Sequence, residues 1–360
     1  MQLWPEPVTT GSGHSPFPGF LRTFRRYTMP APLRVGVIGL GWAGTVHART
    51  VREMEGLALI GVADPSPQRR ASAPGVPALA TVEELMELGP DYCVVAAPTR
   101  HHEEVGLQLA QAHVPALIEK PLAHDLPAAM RLVEAFEEAG VISAVGHTER
   151  HNPAVRELRR LLREEDFGPI YQIATRRQGP FPARIQDVGV VRDLAIHDTD
   201  LITWLTGDTI AQVSANVSAV SGRGTEDLAT ALCALARGTL ATLDVNWVSP
   251  RKERQITVHT ERGCLVADAL TGTVTHYLNG AQSDTSVTTG SFPGSSPSLV
   301  ITYPAQGELP FTAEHCAMRN TMLGRVGGLV TLREGAAAVA ATEAILASAR
   351  TGAPITISTP

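Results

Sequence analysis

Four groups of residues have types and spacings suited to chemistry. Gly39, Gly41 and Gly44 form a G-x-G-x-x-G run enclosing Trp42 and Ala43. The run follows a β-branched stretch and opens a helix-forming one, the context that a dinucleotide-binding turn requires. Gly39 permits the tight turn, Gly41 lets a pyrophosphate reach the backbone, and Gly44 lets helix and strand pack closely. The amides of the first helical turn then face the phosphates. Asp64 stands 20 residues after Gly44, where a carboxylate hydrogen-bonds ribose hydroxyls. Its charge repels a 2′-phosphate and favours NAD over NADP. Arg69 and Arg70 lie close by and pull the other way, since arginine can receive that phosphate.

The third group is Glu119-Lys120-Pro121, directly after an apolar run at Ala116–Ile118. Ligands bind at the carboxyl ends of parallel strands, so Lys120 is placed beside the nicotinamide. Of 30 basic residues only Lys120 and Lys252 are lysines, so surface composition is a poor explanation for this one. The fourth group is Asp193, His197 and Asp200. Spacings of four and three set these side chains on one face of a regular helix. Imidazole accepts a proton near neutral pH, and a neighbouring carboxylate can orient it. The same trio suits a surface network or a metal, but with Lys120 at hand proton transfer during hydride transfer is the better reading.

The elements that must position these groups follow from the pattern. Strands are expected at Leu33–Gly39, Leu57–Ala63, Tyr92–Ala97, Ala116–Ile118 and Val141–Val145, with helices at Ala43–Met54, Glu103–Ala112 and Pro127–Ala139 between them. Thr81 caps a further helix. This alternation predicts an α/β, doubly wound parallel sheet, a Rossmann domain, over residues 33–147. Helices follow at Ala154–Arg163 and Leu194–Leu205, the latter stopped by Gly207. Six successive strand patterns from Ala211 to Leu278 then imply a large, mainly antiparallel sheet. Ser283–Ser298 reads as a polar loop and Glu334–Ala349 as a closing helix. Residues 148–360 thus form an α+β substrate and oligomerisation domain. Residues 1–32, rich in Pro, Gly and Ser, read as a disordered extension or an upstream start ahead of Met29.

Composition excludes several classes. The chain has 360 residues, 44% hydrophobic and 18% charged, with a net charge of −6. That is the balance of a globular protein and lacks the basic stripe of a nucleic-acid binder. No apolar run approaches a membrane span. Cys93, Cys233, Cys264 and Cys316 are scattered and fit reduced thiols in a cytoplasmic enzyme. His315-Cys316 and His101-His102 lack a metal-ligand spacing.

These motifs, in this order from Leu33 to the C-terminus, resemble the Gfo/Idh/MocA family of NAD(P)-dependent oxidoreductases. The resemblance implies hydride exchange between a nicotinamide cofactor and a sugar or polyol carbon. It implies that Lys120, Asp193, His197 and Asp200 line the catalytic site, and that Pro98, Thr99 and His102 contact the cofactor beside Glu119 and Lys120. Two stretches, from Gly146 through His147, Arg150 and Asn152, and from Gly179 through Arg184 to His197, resemble family members that oxidise the 3-hydroxyl of UDP-N-acetylglucosamine. They imply substrate contacts from His147, Arg150, Asn152, Arg184, Asp193 and His197. The family also implies a homo-oligomer, dimer or tetramer. A free-sugar or inositol dehydrogenase is the alternative within the family, and a non-catalytic dinucleotide sensor the alternative outside it.

Overall fold

Apolar runs separated by helix-length segments pair in parallel, because the crossing helices must cover both faces. The computed structural model describes residues 31–358 apart from 184, 186–187 and 280–298. Its first sheet contains β1 (Leu33–Ile38), β2 (Leu57–Ala63), β3 (Ala78–Leu79), β4 (Tyr92–Val95), β5 (Ala116–Glu119) and β6 (Ser143–Gly146). Their order is β3-β2-β1-β4-β5-β6, all parallel. One face packs Val35, Val37 and Val94 on Ala48 and Val51 of helix Trp42–Glu53. The other packs Ile38, Val95 and Ile118 on Leu109, Leu132 and Phe136. The order reverses between β1 and β4, and such a switch point opens a crevice at the strands' carboxyl ends.

The second sheet has nine strands: β7 (Ile170–Pro180), β8 (Ile210–Ser218), β9 (Leu228–Leu235), β10 (Leu240–Asn246), β11 (Val248–Thr260), β12 (Gly263–Asp268), β13 (Thr273–Leu278), β14 (Leu299–Pro304) and β15 (Ile355–Thr356). Their order is β14-β13-β12-β11-β7-β10-β9-β8-β15. Every pairing is antiparallel except β7 with β10. Helices Pro153–Glu164, Ile196–Thr206 and Leu332–Thr351 bury their apolar sides on its inner face, through residues such as Leu158, Leu201 and Ile345.

Several elements have no counterpart in the pattern reading, among them the edge strands β3, β14 and β15. The 11-residue β7 lies at the centre of the second sheet, yet its inward residues include Thr175 and Arg177. A strand whose buried face is polar shows no apolar alternation to detect. Helix Pro310–Met322 likewise buries Glu314 and His315, which hides its period, and it covers the first sheet through Met318. Helix Leu332–Thr351 reaches both sheets, with Ala336 and Val339 in one core and Ala341 and Ile345 in the other. Helices Pro310–Met322 and Leu332–Thr351 therefore complete the layer begun by residues 33–147. The predicted loop Ser283–Ser298, Arg184 and residues 1–30 lie outside the described residues.

Candidate active site

The glycine run has the geometry a dinucleotide needs. Gly39 has φ +89°, and a Cβ there would meet Ala97 N at 2.5 Å. A Cβ on Gly44 would lie 1.8 Å from Gly39 O, so only glycine lets helix Trp42–Glu53 pack this close. Above Gly41 the space is open, with nothing within 4 Å of a Cβ. Gly41 caps the helix without a side-chain hydrogen bond, and the first turn carries no acid. Uncapped amides and a positive dipole end facing open space form an anion cradle. The chain therefore fits NAD, held by the Gly39–Gly44 turn with Trp42 and Ala43 on the cleft side. Asp64 is buried at the end of β2, and its carboxylate accepts from Leu40 N and Ser66 N, both at 2.8 Å. It thus pins the glycine turn to β2. Arg69 Nη1 lies 3.7 Å from Asp64, and Arg70 donates to the Asp64 and Pro65 carbonyls.

A cleft of about 720 Å³ opens beside this turn, between the ends of the two sheets. Of the residues expected from sequence, Trp42, Ala43, Pro98, Thr99, His102, Glu119, Lys120, Asn152, Asp193 and His197 line it. Lys120 Nζ sits 3.0 Å from both the carboxylate and the carbonyl oxygen of Asp193. Asp193 is reached through a π-turn, Val191–Ala195, not through the regular helix start that the spacing predicts. Such turns are frequent at functional sites. Here the wider turn precedes helix Ile196–Thr206, and both oxygens of Asp193 face the ammonium.

His197 lines the same cleft, with Nδ1 buried and unpartnered. Burial first, then the charges of Lys120 and Arg177, push its pKa well below 6.5. At neutral pH it is a neutral imidazole, able to accept a proton.

Glu119 is fixed from behind. His47 Nε2 lies 3.0 Å from Glu119, His47 Nδ1 lies 3.0 Å from His315 Nε2, and Tyr92 Oη lies 2.9 Å from His315 Nδ1. One direction of donation, Tyr92 to His315 to His47 to Glu119, satisfies every member with neutral imidazoles. Burial works against ionisation of Glu119, yet the hydrogen bond from His47 and the charge of Lys120 hold its carboxyl below the usual range. Its other oxygen accepts from Lys120 N at 3.0 Å. The buried polar face of helix Pro310–Met322 thereby orients the Lys120 turn. His102 ties the neighbouring loop to that turn, with ring nitrogens 2.8 Å from Ala97 O and 2.9 Å from Pro121 O.

Three expected site residues sit elsewhere. Asp200 does not orient His197: it accepts two hydrogen bonds from Arg150, at 2.8 and 2.6 Å. Arg150 also binds Glu334 at 2.7 Å. Arg150 and Asp200 are buried below the cleft, and His147 is buried beside them, 3.7 Å from Asp200. A bidentate guanidinium outcompetes imidazole for the carboxylate. These residues clamp β6 to helices Ile196–Thr206 and Leu332–Thr351. Replacing Arg150 by Met should therefore cost stability, about 3–5 kcal/mol, because it strands a buried carboxylate. A lowered urea midpoint with an unchanged slope would show it; an unchanged midpoint would mean the pair contributes nothing.

Burial also holds His147, His315 and His151 below 6.5, His151 at about 4. The unfolded chain protonates these groups and His197 as pH falls through 6.5, while the folded chain does not. Stability is therefore full above 6.5 and declines as pH falls toward 4. Urea midpoints at pH 7.5 and 5.5 should differ in that direction; equal midpoints would contradict it.

Residues 33–147 match the model of the oxidoreductase family with an NAD-binding Rossmann fold, and residues 155–266 match the Gfo/Idh/MocA C-terminal domain. The chain is 34% identical over 259 residues to UDP-N-acetylglucosamine 3-dehydrogenase of Acidithiobacillus ferrooxidans, covering 69% of this chain and 78% of that protein. It is 33% identical over 247 residues to myo-inositol dehydrogenase Hyg17 of Streptomyces leeuwenhoekii, covering 65% and 76%. A solved structure of the A. ferrooxidans enzyme superposes with a TM-score of 0.77 at 26% identity, over 89% of this chain and 98% of that one. The chain is an NAD-dependent oxidoreductase. It belongs to the Gfo/Idh/MocA family.

Among the described residues no helix is long and apolar enough to cross a membrane, and no group of three potential metal ligands is found.

Proposed function

We propose that this oxidoreductase acts on a secondary hydroxyl of a sugar, the 3-hydroxyl of a UDP-linked N-acetylhexosamine. The observation that carries the chemistry is the Lys120 ammonium, held by Asp193 at 3.0 Å in one cleft with a neutral His197. The substrate follows from likeness to a UDP-N-acetylglucosamine 3-dehydrogenase. NAD supplies the hydride acceptor. Lys120 donates a hydrogen bond to the substrate oxygen and stabilises its developing negative charge. His197 accepts the hydroxyl proton, and Asp193 holds Lys120 in place. Turnover of UDP-N-acetylglucosamine, free sugars and inositol, each with NAD and NADP, is followed at NADH absorbance. UDP-N-acetylglucosamine with NAD should give the highest kcat/KM. Preferred turnover of inositol would overturn the substrate, preference for NADP the role of Asp64, and no turnover at all the enzyme reading in favour of a sensor.

We also propose that the chain forms a cytoplasmic homo-oligomer, dimer or tetramer, through the outer face of the second sheet. Among the described residues, the helices that pack on this sheet cover its inner face. Outward Leu232, Leu240, Tyr277 and Val300 are 40–49% exposed on a face otherwise rich in threonine. Open apolar sheet faces of this size mark interfaces. Light scattering at micromolar protein should give at least twice the 38.2 kDa chain mass, and Leu232→Asp should lower it. A monomer mass for the unmodified chain would remove the idea.

A further inference from the structure

Five cations and three carboxylates line the cleft, in a chain of net charge −6. The carboxylates are engaged: Asp193 by Lys120, Glu149 by Arg177, and Glu119 by His47. Arg177 on β7 and Arg254 on β11 are register partners, and like charges directly opposite are destabilising. Arg177 is neutralised by Glu149 and Asp198, each at 2.9 Å. Arg254 is not: its Nη1 donates only to the carbonyls of Gln178 and Glu253, each at 2.8 Å. Burial and the charge of Arg177 push its pKa down to about 10, which still leaves it charged at neutral pH. Lys252, two residues earlier on β11, and Arg192, in the π-turn, also line the cleft, and among the described residues their side chains make no hydrogen bond or ion pair. Trp247 lines it too, with its indole N–H buried and unpartnered. A buried donor without an acceptor in a cleft wall is a group a ligand can satisfy.

These cations come from the second sheet and the π-turn, whereas the dinucleotide cradle comes from the first sheet. We propose that Arg192, Lys252 and Arg254 form a subsite for the diphosphate of the substrate, separate from the one that holds the cofactor's phosphates. The inference rests on the sugar-nucleotide reading and gives it a physical basis in this chain. A neutral polyol gains nothing from three unneutralised cations. A diphosphate gains charge-assisted hydrogen bonds and a favourable local field.

The test is titration of UDP into NADH-loaded enzyme by calorimetry, with uridine as the phosphate-free probe. UDP should bind, uridine should bind far more weakly, and UDP affinity should fall with added salt. Lys252→Met and Arg254→Gln should each weaken UDP binding about 10–100-fold while NADH affinity stays unchanged. The Lys252 side chain makes no hydrogen bond or ion pair among the described residues, so its substitution isolates recognition from folding. Equal affinities for UDP and uridine, or unaltered UDP binding in the Lys252→Met protein, would overturn the subsite. If UDP binds through these cations but UDP-sugars are not oxidised, the 3-hydroxyl reading falls and the subsite stands. If UDP-sugars are oxidised and the variants bind UDP normally, the subsite alone falls.

Discussion

Lys120→Met should fold, bind NAD and lose about 10²–10³ in kcat. Methionine keeps much of the stem's volume, and the glycine turn that receives the cofactor draws nothing from this side chain. What disappears is a donor aimed at the oxygen where charge develops. Such a donor counts because it is already oriented: two of its contacts, both at 3.0 Å, go to Asp193, which is itself built into the π-turn. Lys120→Arg should not restore the rate, since a planar fork cannot reproduce a compact ammonium between those two oxygens. The readouts are kcat with UDP-N-acetylglucosamine and NAD affinity by calorimetry. A kcat near that of the unmodified enzyme would make Lys120 a bystander. A parallel collapse of NAD affinity would make it a cofactor ligand instead.

Legibility in the sequence followed chemistry that depends on local spacing. The glycine turn, the strand before it and Lys120 after β5 were readable because each lies within a few residues of the pattern that defines it. Gly140 and Gly207 were equally plain as helix stops, and both adopt the left-handed cap. What was hidden is polar burial. Arg177 and Arg254 face each other across β7 and β11, strands whose inward residues serve the cleft as well as the core. His315 reaches His47 from 268 positions away, and no periodicity announces such a pairing.

The fate of Asp200 has the same origin. A spacing of three from His197 predicts proximity, but the partner that takes Asp200 is Arg150, 50 residues earlier. Helical spacing states which side chains share a face. It does not state which of them finds a stronger partner from another element. Asp193 lines the cleft although the turn that carries it is π, because what it pairs with is Lys120 and not a helical neighbour.

His197→Asn should also slow oxidation, and its residual activity should rise with pH as hydroxide takes over the missing acceptor. In the unmodified enzyme the acid limb should lie below pH 6.5, because burial and the charges of Lys120 and Arg177 keep His197 deprotonated there. The decisive measurement is the double variant. In the proposed site Lys120 and His197 act on one oxygen, the first stabilising its charge and the second removing its proton. Once Lys120 is gone, the oxyanion is costly whether or not a base is present, so the second substitution removes much less. The double variant should therefore lose far less than the product of the single losses. NAD affinity should stay level across all three proteins, which separates this coupling from a damaged fold. Strictly multiplicative losses would place the two groups in separate steps, and the shared-oxygen mechanism would have to be abandoned.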